Sequence, residues 1–138
     1  DGGGYSLVLV APTGAPNPEL PQNWRSSKAP GGTPGSSDSN PFLGSTSREL
    51  LEYATGSTEA GQFEFVENIA IFEYQRMHGA DDAVVVVEVS ADLQTWTTDG
   101  VTFLSQSNMP NDTAKMRFAL PTENGNRIFT RISVSVTR

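Results

Sequence analysis

Seven of the nine prolines in this 138-residue chain fall between Pro12 and Gly44: Pro12, Pro16, Pro18, Pro21, Pro30, Pro34 and Pro41. Gly31, Gly32, Gly35 and a run of serines share the segment. Proline lacks a backbone N–H and glycine costs backbone entropy, so a long helix or a central strand is excluded here. Composition alone reads the segment as a linker. Its large apolar groups are Leu20, Trp24, Phe42 and Leu43, few but sufficient to pin an irregular chain to a core. The apolar share of the whole chain, 36%, is low mainly because of this stretch, and the remainder is composed like an ordinary globular domain.

The strand before the arm is Tyr5–Val10, Tyr-Ser-Leu-Val-Leu-Val, rich in strand formers. After the arm, Thr46-Ser47-Arg48-Glu49 fits a capping box. Gly56 suits the residue that closes a helix in the left-handed conformation, so one short helix is predicted at about 47–55. From Gln62 onward the apolar period becomes two. Phe63 and Phe65, Phe72 and Tyr74, Ala83–Val89, Val101–Ser105, Lys115–Leu120 and Ile128–Val136 read as about six strands. The four consecutive valines of Val84–Val87 predict a central strand covered on both faces. Turn chemistry separates the strands at His78-Gly79, Asp99-Gly100, Pro110-Asn111-Asp112 and Asn124-Gly125-Asn126. The expected fold is all-β: an antiparallel β-sandwich, Ig-like or jelly-roll-like, with one short helix and a long ordered Pro/Gly/Ser-rich N-terminal arm. The organisation expected is a strand plus arm over residues 1–44 and a sandwich module over residues 45–138.

Two groups of motifs resemble known families. Asp1-Gly2-Gly3-Gly4-Tyr5-Ser6-Leu7-Val8-Leu9, then Asn23-Trp24-Arg25, then Gly31-Gly32-Thr33-Pro34-Gly35, resembles the C-terminal end of a bacterial lamin-tail domain. Leu50-Leu51-Glu52-Tyr53-Ala54, with Val87-Glu88-Val89-Ser90-Ala91-Asp92-Leu93-Gln94-Thr95-Trp96, is similar to a β-rich module that ends many large secreted bacterial proteins. The resemblance implies an extracellular, non-catalytic β domain and supplies no catalytic residue to transfer. Against a whole lamin-tail domain, this chain keeps only the last strand, and a lone strand leaves unpaired backbone groups along an edge.

Nine basic against sixteen acidic side chains give a net charge of −7, which argues against nucleic acid and anionic membrane as partners. The absence of cysteine excludes disulfides, thiol nucleophiles and Cys-ligated metals. No apolar run reaches the length of a membrane-spanning helix, and Asp1–Gly4 lacks the basic start of a signal peptide. Asp1 is therefore expected to be a cut end: a mature terminus, a proteolytic product or a cloning boundary.

His78 is the sole histidine, followed by Asp81 and Asp82, and reads as a polar hairpin turn in preference to a metal or calcium site. Glu64, Glu67, Glu73 and Glu88 occur on strands, where alternating acids belong on a solvent face. No catalytic residue, cofactor or metal is assigned, and the chain is expected not to be an enzyme. Trp24 is expected to anchor the arm and Trp96 to cover the core edge; both are also candidates for a sugar-stacking platform. Asn111-Asp112-Thr113 is an exposed sequon. Two functions remain open at this stage. One is a structural module that self-assembles through Tyr5, Leu7, Val8, Leu9 and Val10 into a homo-oligomer, filament or surface layer. The other is a polysaccharide-binding or adhesion module. Both place the protein outside the cell or at its surface. Whether the arm docks on its own sheet or on a neighbour's stays undecided by the residues alone.

Overall fold

The structure is a computed structural model that describes residues 4–59, 61–122 and 127–137. The glycine-rich start at 1–3 and the expected Asn124-Gly125-Asn126 turn lie outside the described residues. Among the described residues the chain forms eight strands and one α-helix. The strands are β1 (Tyr5–Leu9), β2 (Trp24–Pro30), β3 (Gln62–Val66), β4 (Ile69–Met77), β5 (Ala83–Ser90), β6 (Thr102–Met109), β7 (Thr113–Ala119) and β8 (Phe129–Val136). The helix α1 spans Ser47–Thr55. All pairings are antiparallel.

The main sheet has the order β3-β4-β7-β6, and β5 pairs with β8 in a second sheet. Their facing side chains make one core of Phe72, Tyr74, Val87, Val89, Ala114, Met116 and Leu120. One lateral row crosses the whole main sheet in register: Phe63 opposite Phe72, Phe72 opposite Phe118, and Phe118 opposite Phe103. Ring contacts join Phe63 to Phe72 at 5.2 Å and Phe103 to Phe118 at 5.5 Å. Aromatic pairs at such spacing add about 0.5–1.5 kcal/mol each beyond their burial.

α1 begins and ends as its sequence dictates. The Thr46 side chain accepts from Glu49 N–H while the Glu49 carboxylate accepts from Thr46 N–H, and Gly56 closes the helix at φ 69°. Ala54 packs with Ala80 and Ala83, so the helix plugs one end of the sandwich. It survives at under three turns because that packing supplies what its length does not.

Several expectations are corrected. Tyr5–Leu9 is not a lone strand: it pairs with β2, which lies inside the proline-rich segment. Between Pro21 and Pro30 the segment carries enough proline-free chain for a strand, and Pro30 sits at its last position, where the missing N–H costs least. Val84–Val87 is not central: β5 has a single full partner strand, and Val84 is 39% exposed. Leu20 and Leu43 do not pin the arm, being 41% and 89% exposed. His78-Gly79 is not a hairpin turn, because β4 and β5 belong to different sheets.

Candidate functional site

The arm is held by a buried charge cluster, with Phe42 as an apolar tie beside it. Arg25, on β2, is 3% exposed. Its Nε and Nη2 donate to the two carboxylate oxygens of Asp81 at 2.8 Å each. Nη1 donates to Asp38 Oδ2 at 2.6 Å and to the Ser26 carbonyl at 2.9 Å, and Nη2 also donates to the Asp38 carbonyl at 3.1 Å. All five N–H donors of the guanidinium are thus used. Asp38 Oδ2 accepts in addition from Lys28 N–H at 3.0 Å. Three segments meet here: β2, the Gly/Ser loop after it, and the distant loop between β4 and β5.

The neighbouring Asp82 makes a second tie. Its Oδ2 accepts from Phe42 N–H at 2.8 Å, and its Oδ1 accepts from the Tyr53 hydroxyl. Phe42 packs on the Tyr53 ring at 5.2 Å. Asn40 N–H donates to the Gly79 carbonyl at 2.7 Å. The Asp81-Asp82 pair therefore clips both ends of the segment between β2 and α1.

Electrostatics follow from this packing. Burial opposes charge on Asp38, but hydrogen bonds from Arg25 and Lys28 outweigh it and hold the carboxyl below its usual range. Burial likewise opposes charge on Arg25, and its bonds to Asp81 and Asp38 reverse the balance and keep it protonated. His78 is 7% exposed, and its Nε2 has no hydrogen-bond partner among the described residues. Burial first, and the Arg25 charge second, push its pKa down. His78 is therefore a buried, neutral side chain in the turn after β4 and not part of the polar hairpin expected. The oxygens of Asp81 and Asp82 are occupied by Arg25, Tyr53 and Phe42, and no group of three or more His, Asp or Glu side chains is gathered among the described residues.

β2 also reaches the main sheet. Gln106 Nε2 on β6 donates to the Trp24 carbonyl at 2.8 Å, and Asn108 Nδ2 donates to Ser26 Oγ at 2.6 Å. These side-chain bridges tie the β1-β2 pair to β6, with no backbone ladder between β2 and β6. The edge strands β1 and β3 are apolar. On β1, Leu7 is 70% and Tyr5 43% exposed. On β3, Phe65 is 76% and Phe63 56% exposed, with Val66 and Ile69 beside them at 40% and 49%.

The remaining sequence candidates separate. Trp24 is half-buried and its indole N–H donates to the Pro18 carbonyl at 2.7 Å. Its neighbour Arg25 carries the ion pairs that tie β2 to the β4–β5 loop. Trp96 is half-buried, with the Arg131 guanidinium 4.2 Å above its ring. The Ser90–Trp96 stretch is a turn built on Asp92, whose Oδ1 accepts from Gln94 N–H and Thr95 N–H at 2.8 Å each. Those bonds hold the Asp92 carboxyl below its usual range. Val8 and Leu9 are half-buried, and Val10 N–H donates to the Asn23 carbonyl at 2.8 Å, so the end of the strand is tied to β2. Asn111 is exposed in the β6–β7 turn at φ 64°. Glu64 and Glu73 both bind Arg117, and Glu88 binds Arg131.

Sequence reasoning missed Arg25 and Asp38. Arg25 beside Lys28 in a strand without acids was the available signal, but its partner Asp81 lies 56 residues away. No known family model matches the chain, and no curated protein sequence or solved structure matches it either. No described helix is long and apolar enough to cross a membrane.

Proposed function

We propose that this chain is a non-catalytic structural module of a secreted, extracellular protein, folded as an Ig-like or jelly-roll-like sandwich, that associates with copies of itself. The observation that carries this reading is the clasp: three buried charged side chains, Arg25, Asp38 and Asp81, lock an otherwise linker-like arm into one body with the sandwich. Burying charges is expensive unless each is fully satisfied, and it serves specificity of arrangement more than stability. What the clasp arranges is a body with two apolar strand edges, β1 on the small sheet and β3 on the main sheet. Such edges are normally blunted or covered, and exposed ones pair with other chains.

A glycan platform draws less support. The Trp24 indole N–H is already used, and one face of Trp96 is covered by Arg131.

Sedimentation velocity over a wide concentration range tests the proposal. Mass that grows with concentration is expected; a single monomeric species throughout refutes self-association.

A further inference from the structure

We infer that copies of this chain join head to tail, the β1 edge of one copy pairing with the β3 edge of the next. This rests on the self-association proposed above and names its contact.

The two edges are hydrogen-bond ready. The β3–β4 hairpin turns through Glu67 and Asn68, both with positive φ, 50° and 69°. A two-residue turn of this kind makes Val66 and Ile69 a hydrogen-bonded pair. By alternation, the N–H and C=O of Phe63 and Phe65 point away from β4 toward the open side. On β1, Val10 N–H bonds the Asn23 carbonyl, so by the same alternation Leu9 and Leu7 turn their backbone groups away from β2. Neither outer side has a backbone partner among the described residues.

Charge argues against β3 meeting a second β3. If β3 paired antiparallel with a second β3 through Phe63 and Phe65, Glu64 would face Glu64. Glu64 is 52% exposed even while bound to Arg117 at 2.7 Å. Like charges directly opposite in a sheet are destabilising, and each copy already carries a net −7. β1 has no charged residue, so it meets β3 without that penalty. The Leu7 side chain has a receiving site: a cavity of about 360 Å³ beside the β3 edge, lined by Phe63, Phe65, Ala70, Leu120, Pro121 and Ile128. Thr130 also lines it, and its Oγ1 is buried with no partner among the described residues.

Because the two surfaces differ and lie on edge strands of separate sheets, the contact is heterologous, and its repetition gives an open filament unless the rotation closes a ring. An isologous dimer would instead use one surface twice.

The test uses Leu7→Lys and Phe65→Lys, each at an exposed position where folding, checked by thermal melting, is expected to hold. Wild type is expected to exceed two protomer masses at high concentration in sedimentation. Each variant alone is expected to stay monomeric. An equimolar mixture is expected to stop at dimers, since Leu7→Lys keeps its β3 edge and Phe65→Lys keeps its β1 edge. Dimers of Leu7→Lys alone overturn the inference in favour of β3 pairing with itself, and dimers of Phe65→Lys alone overturn it in favour of β1 pairing with itself. Wild type that assembles unaffected by either substitution overturns the contact but leaves self-association standing. Monomeric wild type overturns both.

Discussion

Replacing Arg25 by alanine removes the guanidinium that bridges Asp38 and Asp81 at the clasp. Five hydrogen bonds of 2.6–3.1 Å disappear, and the Asp38 and Asp81 side chains, 5% and 8% exposed, are left facing each other in a site closed to water. Breaking one side of a buried ion pair costs about 3–5 kcal/mol. For a domain of this size that lowers the melting temperature by roughly 10–15 °C. Part of the loss falls on the arm alone, because β1 and β2 touch the sandwich through few apolar groups. Thermal unfolding should therefore be paired with limited proteolysis between β2 and α1. Arg25→Ala is expected to expose cleavage there before the sandwich melts. Arg25→Lys keeps the charge but loses the two-pronged contact with Asp81, and should fall between wild type and alanine. Replacing both sides, Arg25→Met with Asp81→Leu, should cost less than the two single changes added together. A stability within about 1 kcal/mol of wild type for Arg25→Ala, with the arm still protected, would refute the clasp as what holds the segment.

Acid should loosen the same site in two steps. The folded pKa of His78 lies below its ordinary 6.5, so below that pH the unfolded chain takes up a proton that the folded chain does not, and stability falls. Asp38 is likewise depressed from 3.8, so its share of stability is present above that value and lost as pH falls through its folded pKa. Urea midpoints against pH should show both declines, and His78→Gln should remove the upper one. Thr46→Ala removes the N-cap of α1 and should cost about 1 kcal/mol in chemical denaturation. Phe72→Ala, at 2% exposure, should cost about 3–5 kcal/mol, whereas Phe65→Ala, its 76% exposed relative on the sheet edge, should leave stability nearly unchanged.

How much of this was legible in the residues depends on the range of the interaction involved. The helix was readable to its caps because Thr46, Glu49 and Gly56 act within a few residues of one another. The strands from Gln62 onward were readable because alternation is a local pattern. β2 escaped notice because Trp24–Pro30 carries no alternating apolar signal; its inward side chains are Arg25 and Ser27, both buried. The valine run misled because a strand with one partner and a covered inner face can be as apolar as a central one.

The sequence by itself determined an all-β chain with one capped helix, a net acidic surface and an arm unable to form long regular structure. Only the tertiary structure decided that the arm is built in. Its Asn-Trp-Arg stretch, which leads into β2, matters for the arginine, whose worth depends on two acids brought in from residues 38 and 81. A charge is costly or stabilising according to what surrounds it after folding, and no local pattern of residues records that.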